Sequence, residues 1–411
     1  MTDTAPFDLV LRRAALTGRP GLHAVGVKDG RIAAIGAELP AGRAEEDAGG
    51  RLVIPGFVDS HVHLDKSCLM GCACGAGGLK GAIAAVAAAK RGFTVEDVRT
   101  RGAGTLERAI LHGTTHMRTH LEVDPRVELR SFEAIMALKR DYAFAIDLSV
   151  CVFPQEGLTN DPGTEALLLR ALDAGADLLG GCPYTDTDPH AQIERLFAIA
   201  QERDLDLDFH LDFDIDPQGA LLFEICRQSE RRGRQGRVAI GHATKLSAMD
   251  ETSFAQAARC LAEAGVAVTA LPATDLYLNG RERRFDTPRG IAPVHRLAAG
   301  HGVLASLATN NVLNPFTPFG DGSLLRIANL YANALHVEPD EFPRCLDLVT
   351  RLPARLMGLA DYGIDIGKPA DLVLLDAPDE TAALATIAPA LLAYKRGRLS
   401  FRRQIPALLH P

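Results

Sequence analysis

The chain reads as an α/β protein built on a parallel (β/α)8 barrel. Three observations predict this. Short apolar or alternating runs recur at 115–121, 145–152, 178–181, 206–211, 238–241, 266–270 and 303–307. Helical patterns stand between them, for example at 165–174, 191–203 and 253–264. Strand then helix, about eight times over roughly 300 residues, marks a parallel sheet. A closed barrel fits that count, and a doubly wound open sheet is the alternative on pattern alone.

The two ends have a different texture. Near the N-terminus Leu9 and Leu11, Val25 and Val27, and Ile32 and Ile35 alternate as in β-structure, with Asp29-Gly30 as a hairpin signal. Near the C-terminus, 370–375 reads as a strand and Arg396-Gly397-Arg398 as a tight turn. Both ends are small β elements able to pair with each other.

Composition narrows the function. With 411 residues, 47% hydrophobic and 23% charged, the chain is an ordinary folded protein. A net charge of −8, from 44 basic and 52 acidic residues, argues against a nucleic-acid partner. No apolar run is long enough for a transmembrane helix, and the start MTDTAPFDLVLRR lacks the pattern of a secretory signal. The expectation is a cytoplasmic protein with no membrane partner, and homo-oligomerisation is left open. No Gly-rich phosphate cradle is present. The eight cysteines are Cys68, Cys72, Cys74, Cys151, Cys182, Cys226, Cys260 and Cys345. In a chain this long they read as reduced thiols. Cys68, Cys72 and Cys74 cluster without a CxxC spacing, so a loop of small residues is favoured there over a soft-metal or redox site.

The strongest chemical signal is Gly56-Phe57-Val58-Asp59-Ser60-His61-Val62-His63-Leu64-Asp65. His61 and His63 lie two apart in an expected strand and share a face. The run before them is too apolar for an exposed edge, so a shared metal ion is favoured over two solvated imidazoles. Two ligands do not complete a site. Other histidines end later strands: His120, His210 and His242. In a barrel all would point at one top-face cavity.

At these motifs the chain resembles the amidohydrolase superfamily, in its branch containing cytosine deaminase and the isopropylammelide hydrolases. PGFVDSHVHLDK, GTTHMRTHLEV, VFPQEG, DFHLDFDID, GHAT, residues 279–290, TNNVLNPFTPFGDG and DYGIDIGKPADLVLLD carry the resemblance. It implies a barrel over 55–361 and a small β-sandwich from 1–54 and 362–411. It also implies one divalent metal ion per chain, zinc or iron(II), on His61, His63 and His210. His242 matches the histidine that contacts the attacking water, and Gln155 a glutamine that recognises the ring substrate. Phe153 and Phe316 would supply apolar ring contacts. No strand-end lysine is present to bridge two metals.

Two departures stand out. Asn310 occupies the place of the family's metal-binding aspartate; its amide oxygen can ligate but cannot act as a base. Phe213 replaces a glutamate that shuttles protons in cytosine deaminase. By strand alternation Asp212 and Asp214 share the face of His210 and are the candidate replacements, unless Asp212 merely supports its loop. The resemblance implies a hydrolase in which water activated by the metal attacks a C–N carbon of a small nitrogen heterocycle. The alternatives are a barrel that only binds a heterocycle or metal, or different chemistry in the same barrel, because two carboxylates are missing. The stretch 66–91 is expected to be a loop covering the pocket.

Overall fold

The computed structural model describes residues 5–70, 77–404, 406, 408 and 409. Strands β1 (Phe7–Leu16), β2 (Leu22–Lys28), β3 (Arg31–Gly36), β4 (Gly42–Asp47) and β5 (Leu52–Pro55) come from the start of the chain. The eight that follow are β6 (Phe57–Val62), β7 (Thr114–Glu122), β8 (Asp147–Phe153), β9 (Leu178–Gly181), β10 (Leu207–Leu211), β11 (Val238–His242), β12 (Val266–Ala270) and β13 (Ala305–Leu307). The last are β14 (Leu372–Leu375), β15 (Ala390–Lys395) and β16 (Arg398–Arg402).

The chain ends do pair. Their sheet runs β16-β15-β14-β5-β1-β2-β3, with β4 added to β1. Two hairpins shape it. Asp29 and Gly30 both have positive φ, as do Arg396 and Gly397, which is the geometry of the tightest β-turns. The two turns pack against each other so closely that a Cβ on Gly30 would lie 2.8 Å from the Arg396 carbonyl oxygen.

Strands β6 to β13 form the second sheet in strict sequence order, and every pair is parallel. Strands β9 to β13 are buried throughout, because helices cover their outer faces. The sheet curls until its ends meet. The His63 N–H donates to the Asn310 carbonyl (2.8 Å), and the Asn310 N–H donates to the His61 carbonyl (2.9 Å). The barrel is therefore closed by the backbone of Asn310, just beyond β13, against the His-x-His strand.

Within 66–91, residues Gly78–Ala89 form a helix rather than the loop expected. The sequence GLKGAIAAVAAA explains it, since alanine is the best helix former and Ala82 and Val86 supply a buried stripe. Cys72 and Cys74 lie outside the described residues; Cys68, Cys151, Cys182, Cys226, Cys260 and Cys345 are free thiols. Among the described residues no helix is long and apolar enough to cross a membrane.

Candidate active site

The site stands at the C-terminal ends of the barrel strands, where this architecture gathers its functional side chains. His61 is the last but one residue of β6 and His63 follows that strand, while His210 and His242 come from the ends of β10 and β11. Three imidazole nitrogens converge: His61 Nε2 lies 3.1 Å from His210 Nε2, which lies 3.0 Å from His63 Nε2. Gly241 makes room for this, because a Cβ there would sit 3.0 Å from the His61 ring. The His63 Nδ1–H donates to the His120 carbonyl (3.0 Å), which leaves the Nε2 lone pair pointing at its neighbours.

Burial keeps these rings uncharged. Desolvation, with His120 nearby, pulls the His61 pKa down to about 3; burial does the same for His63 and His210, well below the ordinary range. Three neutral nitrogens at this spacing suit one ion held at roughly 2.0–2.1 Å from each. Asn310 adds a further donor. Its Nδ2 donates to Thr274 Oγ1 (2.9 Å), while its Oδ1 is buried without a partner. Asp59 helps seat this segment by accepting from the Thr309 N–H and hydroxyl. The donor set therefore fits a divalent cation.

Beneath the cluster His120 stacks on His61, with centroids 3.7 Å apart. Asp208 holds that layer: its Oδ2 accepts from Arg118 (2.9 Å) and lies 3.4 Å from His120 Nε2, and its Oδ1 is 3.8 Å from His61 Nδ1. Partners of this kind orient metal-binding histidines and tune their basicity. His242 is set differently. Its Nδ1 lies 2.7 Å from the buried Asp275 carboxylate, and Phe213 packs edge-on against its ring at 4.3 Å. Asp275 comes from the short helix Pro272–Leu278, which no sequence pattern had marked. Left-handed backbone recurs around this rim, at Asp212, His242, Ala243 and Asn310. Such strained positions cluster at working sites.

Several expected residues share one cavity: His63, Gln155, His210, Phe213, His242 and Phe316 all line it. Leu79, on the helix Gly78–Ala89, lines it too, so that helix forms part of its cover. The cavity is tight, at about 10 Å³. A separate apolar cavity of about 390 Å³ lies beyond Asn311, against Leu276, Tyr277, Val312 and Ile327. It includes none of the histidines, so it is not where the chemistry converges.

Three expectations need correction. Asp212 is not turned toward the histidines. Strand β10 ends at Leu211 and Asp212 has φ 52°, so alternation stops there. Its two carboxylate oxygens accept from the Leu221 (2.9 Å) and Leu222 (3.1 Å) amides, the loop-supporting role. Asp214 is exposed and paired with Lys245 at 2.8 Å. Asp212→Asn and Asp214→Asn are therefore expected to leave turnover within about threefold of the unaltered protein, far less than the loss of a general base causes. A steady-state comparison of both variants checks this. Phe153 also differs from its expected place: it stacks on His210 at 4.4 Å, behind the cluster and not in the cavity lining.

Lys66 was missed. It is buried, lines the cavity, and lies 4.5 Å from the centre of the Phe316 ring. Its Nζ donates to Glu122 (2.7 Å) and to Gln155 Oε1 (3.2 Å). Lys90, just after the covering helix, donates to Glu122 (2.6 Å) and contacts Asp124 and Glu156. Although burial opposes it, Glu122, Glu156 and Asp124 hold the Lys90 pKa above its ordinary value. Lys90 and Lys66 thus supply two ammonium groups to these three acids, and burial with Glu122 nearby raises the Glu156 pKa to about 8, which favours its protonated form. Lys90→Met would strand them, so a loss of about 3–5 kcal/mol in stability is expected. Chemical denaturation checks it; an unchanged midpoint and slope would contradict the ion-paired reading.

The relatives point the same way as the geometry. The profile of the amidohydrolase family matches residues 44–141 and 133–401. The chain belongs to the amidohydrolase family. It is 28% identical over 411 residues to N-isopropylammelide isopropyl amidohydrolase of Pseudomonas sp., covering 97% of this chain and 98% of that one. It is 33% identical over 358 residues to the pterin deaminase of Rhizobium rhizogenes, covering 85% and 81% of the two chains. The crystal structure of 5-methylcytosine deaminase from Klebsiella pneumoniae, liganded with 5-fluorocytosine, superposes with a TM-score of 0.92 at 30% identity, over 98% of this chain and 99% of that chain. This family member is accordingly a barrel carrying a histidine-rich metal-binding cluster, with a second sheet made from its chain ends.

Proposed function

We propose that this amidohydrolase hydrolyses a C–N bond of a small nitrogen heterocycle, with one zinc or ferrous ion held by His61, His63, His210 and the Asn310 oxygen. One observation carries the reading: the His210 Nε2 lies 3.1 Å from that of His61 and 3.0 Å from that of His63, and His63 and His210 line the cavity that also holds His242 and Gln155. The names of the relatives, two deaminases and an amidohydrolase, support it and weigh against a barrel that only binds.

A divalent ion there supplies Lewis acidity, which makes water more acidic and the ring carbon more electrophilic. The chain's residues do the rest. His242 donates its Nδ1–H to Asp275, so its Nε2 is the basic nitrogen left for the reaction. That Nε2 takes the proton released by water and returns it to the departing nitrogen. Phe213 covers His242 with an apolar edge and carries no proton itself. Gln155 and Phe316 hold the ring.

The test is ammonia or amine release from triazines, pyrimidines, pterins and imidazoles by zinc- or iron-loaded protein. Release from at least one ring, stopped by a chelator, is the expected result. No release from any class would overturn the proposal. Asn310 adds a prediction. Asn310→Asp is nearly isosteric and lowers the site's charge by one unit. The variant should keep its metal while the acidic limb of its pH–rate profile moves to higher pH. An unmoved limb would place Asn310 outside the metal's surroundings.

A further inference from the structure

Apart from the His242 Nε2, which is kept for the proton, hydrogen-bond polarity in the cavity is set by amide and ammonium side chains that the protein turns to donate. Lys66 can only donate. Its contact with Gln155 at 3.2 Å therefore requires the glutamine oxygen to face the ammonium. What Gln155 has left is its NH2 group, whose protein contact is the weak acceptor Cys182 Sγ at 3.4 Å. Lys66 itself spends one N–H on Glu122 and one on Gln155, and its third has no hydrogen-bond acceptor among the described residues, the ammonium lying over the Phe316 ring.

Asn311 is fixed by the same logic. Asn314 Oδ1 accepts from the Phe316 and Thr317 amides (3.0 and 3.1 Å), and Asn314 Nδ2 donates to the Lys66 carbonyl (3.1 Å). The orientation of Asn314 is thereby settled, and its Nδ2 also donates to Asn311 Oδ1 (2.7 Å). With its oxygen occupied, Asn311 offers N–H to the cavity it lines. Thr274 Oγ1 is occupied by Asn310 and by Thr317 (2.6 Å). Tyr184, whose hydroxyl neighbours the Cys182 thiol, can serve in either sense. The glutamate that would have faced the ring as an acceptor is Phe213.

We infer that the cavity selects heterocycles by their exocyclic oxo groups, which meet N–H groups of Lys66, Gln155 and Asn311. Rings that present amino groups there are rejected, because N–H would face N–H and buried donors on both sides would go unpaired. This deepens the hydrolase proposal and rests on it only for which side of the ring carries the scissile C–N bond.

The test is equilibrium binding of uracil and diaminopyrimidine to the zinc-loaded protein, by calorimetry. The two rings share size and shape; the exocyclic groups accept in uracil and donate in diaminopyrimidine, while the ring nitrogens differ in the opposite sense, so a preference for uracil reports on the exocyclic groups. Uracil is expected to bind at least about tenfold more tightly. Lys66→Met should remove most of that preference. If that variant does not fold, because Glu122 loses a partner, Gln155→Glu and Asn311→Asp keep the shape and replace a donor by an acceptor. Each should weaken uracil by about tenfold or more and not diaminopyrimidine. Equal or tighter binding of diaminopyrimidine overturns the inference, as does failure of both rings to bind at millimolar concentration. A preference that survives Gln155→Glu and Asn311→Asp overturns it too. No turnover is read, so an enzyme that hydrolysed none of the screened rings but preferred uracil would sink the hydrolase proposal alone. One that released ammonia yet preferred the amino ring would sink this inference alone.

Discussion

His242→Ala is expected to lower turnover by about 10²–10⁴-fold, the usual contribution of a positioned general base. The metal should stay in place, because His242 is not among the three converging nitrogens. The size of the effect follows from the lack of a substitute. Asp212 spends both oxygens on backbone amides, Asp214 faces Lys245, and residue 213 is phenylalanine. Asp275→Asn should act through His242 and not through the substrate. An asparagine can present N–H to Nδ1, which would favour the tautomer carrying its proton on Nε2 and remove the free base there. The readouts are steady-state turnover, with its pH profile, alongside metal content. His242→Ala with full turnover would show that the proton takes another route.

The second large effect is loss of the metal. In His61→Ala or His210→Ala the cluster falls from three imidazoles to two, and bound metal should drop from about one ion per chain to near zero, with turnover lost alongside. His61 carries a further cost. Its ring stacks on His120 above Asp208, so its removal also leaves that buried layer without its cover. His210→Ala is the cleaner test, although it exposes the face of Phe153. Metal analysis of the purified variants after dialysis checks both, and retention of a full equivalent would contradict the ligand assignment.

What was legible in the sequence was the placement of residues at the ends of barrel strands. His61, His63, His210 and His242 each follow an apolar run, and strand periodicity places them on one rim. The two hairpins were legible because Asp29-Gly30 and Arg396-Gly397 need left-handed backbone. What failed was extrapolation past a strand's last residue. Asp212 turns left-handed and ends the alternation that was to carry it and Asp214 toward His210. Phe153 was placed with the substrate because it adjoins the Gln155 motif, yet it is the last residue of β8 and packs on His210. Asp275 and Lys66 were invisible for another reason. Each acts through a partner far along the chain, His242 for one and Glu122 for the other, and neither pairing leaves a local pattern. Lys66 does directly follow the His-x-His-Leu-Asp run, and a charged residue after so apolar a strand was a signal available to be read.

The most direct test of the central claim is a reconstitution titration. Metal-free protein is titrated with zinc or ferrous iron while amine release from the best substrate of the ring screen is followed. If one ion on His61, His63 and His210 supports the reaction, turnover should rise linearly and break at one equivalent per chain, and His210→Ala should show no rise. Turnover that is full without metal, or a break at two equivalents, would contradict the account.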